Sequence, residues 1–131
     1  MVAQMKPSRN AATRRDRLVE ICESLPDVQV TVLGRRKEHR SFLVRKKILA
    51  YYLYDHHDDV RIALWCKAGP GEQGRLVEDD SGRFFVPPYV GPKGWVGVRL
   101  DLRSVDWTQV AYLVRNAYRL TASRAQIARM E

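Results

Sequence analysis

Seven cations crowd the thirteen positions from Arg35 to Lys47: Arg35, Arg36, Lys37, Arg40, Arg45, Lys46 and Lys47. Guanidinium and ammonium groups on protruding turns reach nucleic-acid phosphates without a base-reading helix, and such binding is salt-sensitive and largely indifferent to sequence. The competing account is that turns and sheet edges carry charge for solubility and to prevent edge pairing. A second group mixes aromatic and basic residues: Arg61 and Trp65 in "VRIALWC", and Tyr89, Lys93, Trp95 and Arg99 in "RFFVPPYVGPKGWVGVRLD". Aromatic faces flanked by cations are what an unspecific nucleic-acid surface uses, the rings to stack on bases and the cations to hold phosphates. Cross-strand packing, or an interface with another protein, uses the same residue types.

Other chemistries find less support. Asp55, His56, His57, Asp58 and Asp59 are all residue types that ligate metals. Five neighbours in one turn rarely converge on a point, and neither the HExxH spacing nor a cysteine partner accompanies them, so a solvated turn is the expectation. Cys22 and Cys66 are the only cysteines, belong to no CxxC pair, and are expected to be reduced packing residues. No glycine-rich phosphate loop ends in Lys-Ser or Lys-Thr, and no GxSxG elbow is present. Glu72, Glu78, Asp79 and Asp80 suit a solvated helix face. No catalytic residue, metal or other cofactor is expected.

The elements that must position these groups follow from periodicity. Leu18, Ile21, Cys22 and Leu25 mark one face of a first helix, with Thr13 as a candidate cap and Pro26 ending it. Val28, Val30 and Val32 alternate with polar residues as a strand with one buried face. Residues 41–44 and 48–54 then form a hairpin whose second strand, apolar on both faces, belongs at the centre of a sheet, and residues 60–66 alternate again. A short helix at about 72–78 precedes two more strands. The last helix carries a seam of Trp107, Val110, Ala111, Val114, Ala117, Tyr118 and Thr121, with Asp106 as N-cap and Gln109 at the capping-box position.

This order predicts an α+β domain, a two-layer sandwich of about five to six antiparallel strands with helices on one face. In such a meander Arg35–Lys37 and Arg45–Lys47 sit at opposite ends of one strand, roughly 20 Å apart at about 3.3 Å per residue. The acidic turn at 55–59 falls at the end that holds Arg35–Lys37. If Val96, Val98 and Leu100 face the helices, then Trp95, Arg99, Arg61 and Trp65 share the opposite face, with Tyr89 and Lys93 held beside it.

With 131 residues, 45% apolar and 29% charged, the chain has room for one folded domain, expected over residues 11–123 between a flexible basic arm (1–10) and a helix end or tail (124–131). A formal charge of +8 and a sequence pI near 9.9 favour polyanionic partners. The basic start has no apolar signal core and no later run reaches membrane-spanning length, so a cytoplasmic location is expected.

The segments "SFLVRKKILAYYLYDHHDDVRIALWCKA", "RFFVPPYVGPKGWVGVRLD" and "VDWTQVAYLVRNAYRLTAS", in that order, resemble the MmcQ/YjbR family over about Ala11 to Ser123. The resemblance implies a fold similar to secretion chaperones, a "double wing" motif and DNA binding, with no catalytic motif to carry over. Many members have Ser before the tyrosine of the last helix, where this chain has Ala117 before Tyr118. The expected function is non-enzymatic binding of DNA, duplex and sequence-independent, through backbone phosphates. The alternative is a protein-interaction or chaperone-like module, self-association included, using the uncovered sheet face.

Overall fold

A computed structural model describes the chain from Arg9 to Asp55 and from Arg61 to Met130. Among the described residues eleven elements follow one another: α1 (Arg9–Glu23), β1 (Gln29–Leu33), β2 (His39–Val44), β3 (Lys47–Asp55), β4 (Arg61–Cys66), α2 (Glu72–Asp79), β5 (Phe84–Phe85), a 3-10 turn (Gly91–Lys93), β6 (Val96–Arg99), α3 (Trp107–Arg119) and α4 (Arg124–Ala128). The strands make one antiparallel sheet in the order β1-β2-β3-β4-β6-β5. The first four form the expected meander, with the doubly apolar β3 inside it. The last two arrive in reversed order: β6 pairs with β4, and the two residues of β5 are left at the edge.

Strand parity decides which side of the sheet is covered. Phe42, Ala50, Tyr52, Ile62, Leu64, Cys66, Val96 and Val98 join Leu18 and Cys22 of α1, Leu76 of α2, and Val110, Leu113, Val114, Ala117 and Tyr118 of α3 in one core. Burying a side chain of this size contributes about 1.5–3 kcal/mol, so this shared face outweighs the local preferences of the elements that make it. A bulge in β3, where Phe42 pairs with Ala50 but Leu43 with Ile48, adds Leu49 to the buried set.

Side chains lock the layers. Arg14 of α1 donates to the carbonyls of Leu100 (2.6 Å), Leu102 and Arg103 (3.1 Å), tying the helix to the loop after β6. Tyr118 donates its hydroxyl proton to the carbonyl of Pro26 at 2.8 Å, fixing α3 against the turn that follows α1. Asp106 accepts from the Gln109 amide at 3.1 Å as the N-cap of α3, whereas the full reciprocal capping box belongs to Ser123 and Gln126 of α4.

Three local expectations are corrected. Thr13 lies inside α1, which is already helical at Arg9, because "RNAA" continues the helix upstream of the apolar seam. Val32 is 48% exposed: β1 is an edge strand reaching past the helices, so its alternation does not mark a fully buried face. Leu113, which the seam omitted, is buried at 3% exposure, since α3 meets the sheet over a wider stripe than one residue in four.

Candidate nucleic-acid interface

The β2–β3 connection is the tightest a hairpin allows. Val44 pairs with Lys47, leaving only Arg45 and Lys46 in the loop, with φ of 57° and 64°. Two positive φ values are what a type I′ turn needs, and Asn-Gly meets that need at least cost. This chain instead spends the positions on cations, and all three of Arg45, Lys46 and Lys47 are exposed.

The β1–β2 turn is different in kind. Gly34 (φ 97°) and Lys37 (φ 59°) shape it, the Lys37 amide donates to the Gly34 carbonyl at 3.0 Å, and Glu38 accepts from the Arg36 amide at 2.9 Å. Arg40 turns inward, donating to the carbonyls of Lys37 (2.7 Å) and His39 (2.9 Å). Burial, then the Arg15 guanidinium, pulls the Arg40 pKa down. Glu38 also lies 3.5 Å from His39. This turn therefore carries its own carboxylate, and one of its cations is already spent on the backbone. The two turns stand at opposite ends of the six-residue β2, as the meander requires. Of the metal-ligating residue types at Asp55–Asp59, only the backbone of Asp55 falls within the described residues.

At the Lys47 end, three segments bring cations together. Lys67 follows β4, its amide donates to the Leu49 carbonyl at 3.1 Å, and its ammonium is destabilised first by burial and then by Lys47 and Lys93. Lys93 comes from the 3-10 turn, twenty-six positions away in sequence. Lys67 also lines a cavity of about 270 Å3 with Ala68, Glu72, Leu113, Asn116 and Arg119. Glu72 is held by Arg75 at 2.6 Å, which leaves the cationic character of this end largely uncompensated.

The uncovered sheet face carries the residues that parity assigned to it, but they are arranged differently from a simple platform. Tyr51 of β3 pairs with Trp65, which pairs with Gly97. Tyr51 stands between the tryptophans, edge-on to Trp65 at 6.5 Å and tilted to Trp95 at 6.0 Å. Trp95 is only 7% exposed, so it supports the cluster and offers little ring to a ligand. Phe85 lies flat over Gly97, with ring atoms 2.4 Å from where a Cβ would sit, and Arg61 stacks on Phe85 at 5.4 Å. Arg99 is bound bidentately by Asp101 at 3.1 and 2.8 Å. Arg61 and Arg99 are thus engaged on the sheet face, toward the Asp55 end of β3, and do not join the lysines. Tyr89 is 88% exposed on its loop and has no ring contact among the described residues.

Of the cations singled out in sequence, the fold brings Lys47 and Lys93 together, with Arg45 and Lys46 in the adjoining turn. It leaves Arg35, Arg36, Lys37 and Arg40 at the far end. Lys67 was missed, although it lies two residues beyond Trp65. Tyr51 was hidden by a strand apolar on both faces, and Phe85 by a strand of two residues.

Fold and site together define an α+β two-layer protein with one cationic end and a bare, aromatic sheet face. The YjbR family model matches residues 23–120, and the chain belongs to that family. The structure is similar to the crystal structure of Deinococcus radiodurans protein DR2400, which carries a DUF419 domain: TM-score 0.67 and 22% identity, covering 88% of this chain and 86% of that one. No curated protein matches the chain. The family is not known as an enzyme family. Among the described residues no helix is long and apolar enough to cross a membrane, and no group of three or more His, Cys, Asp or Glu side chains is placed to hold a metal.

Proposed function

We propose that this chain is a non-enzymatic DNA-binding protein that holds backbone phosphates at the Lys47 end of its sheet. One observation carries the reading: three separate segments meet here, since the Lys67 amide bonds the Leu49 carbonyl two residues from Lys47 and Cys66 pairs with Val96 three residues from Lys93, and burial, then Lys47 and Lys93, disfavours the charge on Lys67. Mutual repulsion at a surface is a cost in the free protein that a polyanion removes. The "RKK" turn beside them adds Arg45 and Lys46, and the net charge of +8 adds long-range attraction. Nothing at this end is shaped to read bases in a groove, so binding is independent of sequence.

The protein-interface alternative is weakened by the sheet face itself. Phe85 covers Gly97 and Tyr51 covers Trp95, so the aromatic area is largely spent within the chain.

The test is a titration of random-sequence DNA at low and near-physiological salt. Lys47→Gln/Lys67→Gln/Lys93→Gln should weaken binding and lower the salt slope by about 3, one unit for each lost phosphate contact. Arg35→Gln/Arg36→Gln/Lys37→Gln should change it much less. Equal effects from both triples would mean a diffuse charge effect, and no binding at low salt would refute the reading.

A further inference from the structure

The loop between β5 and β6 is built to hold one aromatic ring in solvent. Pro87 and Gly91 are buried, and a Cβ on Gly91 would meet Val86 at 2.6 Å, so the two ends of the loop are pressed together. The Val90 amide donates to the Pro88 carbonyl at 2.7 Å, the Lys93 amide to Val90 at 3.0 Å and the Gly94 amide to Gly91 at 2.9 Å. Gln73 of α2 clamps the loop from outside, donating its amide protons to the carbonyls of Gly91 (2.9 Å) and Trp95 (2.6 Å). At the apex of this frame is Tyr89, with φ 68° and 88% of its surface exposed.

Both features are unfavourable in the free protein. An aromatic residue at positive φ is uncommon, and a large ring in water forgoes the burial that aromatics usually obtain. Backbone strain of this kind persists where surrounding structure over-determines it, and it clusters where a ligand is gripped. Tyr89 is also four positions from Lys93, one of the three lysines that crowd the same end. A ring presented on the same hydrogen-bonded loop as a member of a cation cluster matches what binds single-stranded nucleic acid, where bases stack on the ring and phosphates track the charge. A paired base has both faces occupied by its neighbours and offers nothing to such a ring.

We propose that Tyr89 is the base-stacking residue of this protein, and that its preferred ligand is single-stranded DNA with an unpaired base on Tyr89 and adjacent phosphates on Lys93, Lys67 and Lys47. The proposal rests on the phosphate-binding reading above and adds the form of the nucleic acid. The rigid frame lowers the ordering cost of the contact, because the ring is already extended before the strand arrives.

The experiment measures anisotropy of a labelled mixed-sequence oligonucleotide, single-stranded and annealed to its complement, at two salt concentrations. The wild type should favour the single strand. Tyr89→Ala should lower single-strand affinity by roughly 5- to 150-fold, the range for losing one stacked base, with the salt slope and duplex affinity unchanged. Tyr89→Phe should retain binding, because the ring and not the hydroxyl makes the contact. Tyr89→Gly, which relieves the backbone, guards against a folding artefact and should show the same loss as Tyr89→Ala. If the lysine triple weakens binding while Tyr89→Ala binds single strands like the wild type, the phosphate reading stands and the role of Tyr89 is refuted. A wild-type preference for duplex refutes it too, as does a change in sedimentation mass on Tyr89→Ala with DNA affinity intact, which would make the ring a protein contact. If neither form binds at low salt, both readings fall.

Discussion

Gly97→Ala is the sharpest probe of the bare sheet face. Gly97 lies in β6 between Trp65 of β4 and Phe85 of β5, and a Cβ there would stand 2.4, 2.4 and 2.7 Å from three atoms of the Phe85 ring. Its backbone is not in the left-handed region, so alanine is acceptable to the chain and only the ring objects. Overpacking of this kind costs about 1–3 kcal/mol, against which alanine recovers about 0.5–1 kcal/mol of the entropy glycine loses in a strand, a net destabilisation of about 0–2.5 kcal/mol. Phe85→Ala alone removes a half-buried ring and should cost roughly 2 kcal/mol, about half the figure for full burial. With the ring gone the new methyl has room, so the double variant should be no less stable than Phe85→Ala alone. The coupling then equals the overpacking that the missing ring removes, about 1–3 kcal/mol, outside the few tenths expected of independent sites. Urea unfolding of the four proteins measures it, provided the m-values agree. Additive costs would show that Phe85 does not lie on Gly97 and that the aromatic face is organised differently.

Arg14→Met should cost about 2–3 kcal/mol in urea unfolding by stranding the carbonyls of Leu100, Leu102 and Arg103, and Arg14→Lys should rescue little of it because one ammonium cannot reproduce the fork. Asp27 accepts from Gln126 and Arg129, and those hydrogen bonds hold its pKa below the ordinary value, so its stabilising effect is full above about pH 4 and fades as pH falls through the lowered value. The stability gap between wild type and Asp27→Asn should therefore be present at pH 7 and shrink toward pH 3; a gap that widens on acidification would reverse the sign. Burial pushes the Cys66 thiol up to about 12, and burial followed by Cys66 pushes Cys22 well up, so neither should react with an aromatic disulfide reagent at pH 8 until urea unfolds the chain. Replacing Arg45-Lys46 with Asn-Gly should raise the unfolding midpoint, since that pair suits the turn, while weakening DNA binding; unchanged binding would remove the turn from the interface.

The layer arrangement was legible because the signals behind it are physical constraints on long segments. Alternation in β4 put Arg61 and Trp65 opposite Ile62, Leu64 and Cys66, and the fold keeps them there. Asp106 read as an N-cap because its carboxylate has an orphan amide to satisfy. What the sequence hid were relations between segments. Lys67 acquires its neighbours only when the 3-10 turn folds beside β4, and no local pattern links Lys93 to Lys67. Arg99 reads as a phosphate anchor until Asp101, two residues on, engages its Nε and Nη2. Trp95 has the parity of an exposed ring, yet Tyr51, whose own strand alternates nothing, packs against it. The two-residue β5 is too short for any periodicity, and its position outside β6 follows only from the long loop that lets the chain pass β6 and return.

The turns of this chain break a rule that its helices and strands obey. Five residues other than glycine have positive φ: Asp27, Lys37, Arg45, Lys46 and Tyr89. Aspartate tolerates the left-handed region, and Asp27 is further held by Gln126 and Arg129. The other four are three basic residues and one exposed tyrosine, types that gain nothing locally from that conformation. For Lys37 the surrounding turn supplies compensation: a glycine at Gly34, the hydrogen bond between their backbones, and the guanidinium of Arg40 on the Lys37 carbonyl. Arg45 donates to the Thr121 carbonyl at 3.4 Å and Tyr89 sits in the frame that Gln73 clamps; with Lys46 they belong to the loops that border Lys47 and Lys93. Positive φ at residue types that do not favour it, retained in the turns around the cation cluster, fits the proposal that side chains there serve a partner. The β1–β2 turn differs in that Arg40 is turned onto the backbone and Glu38 sits among the remaining cations, which suits the ordinary work of keeping a sheet edge in solution.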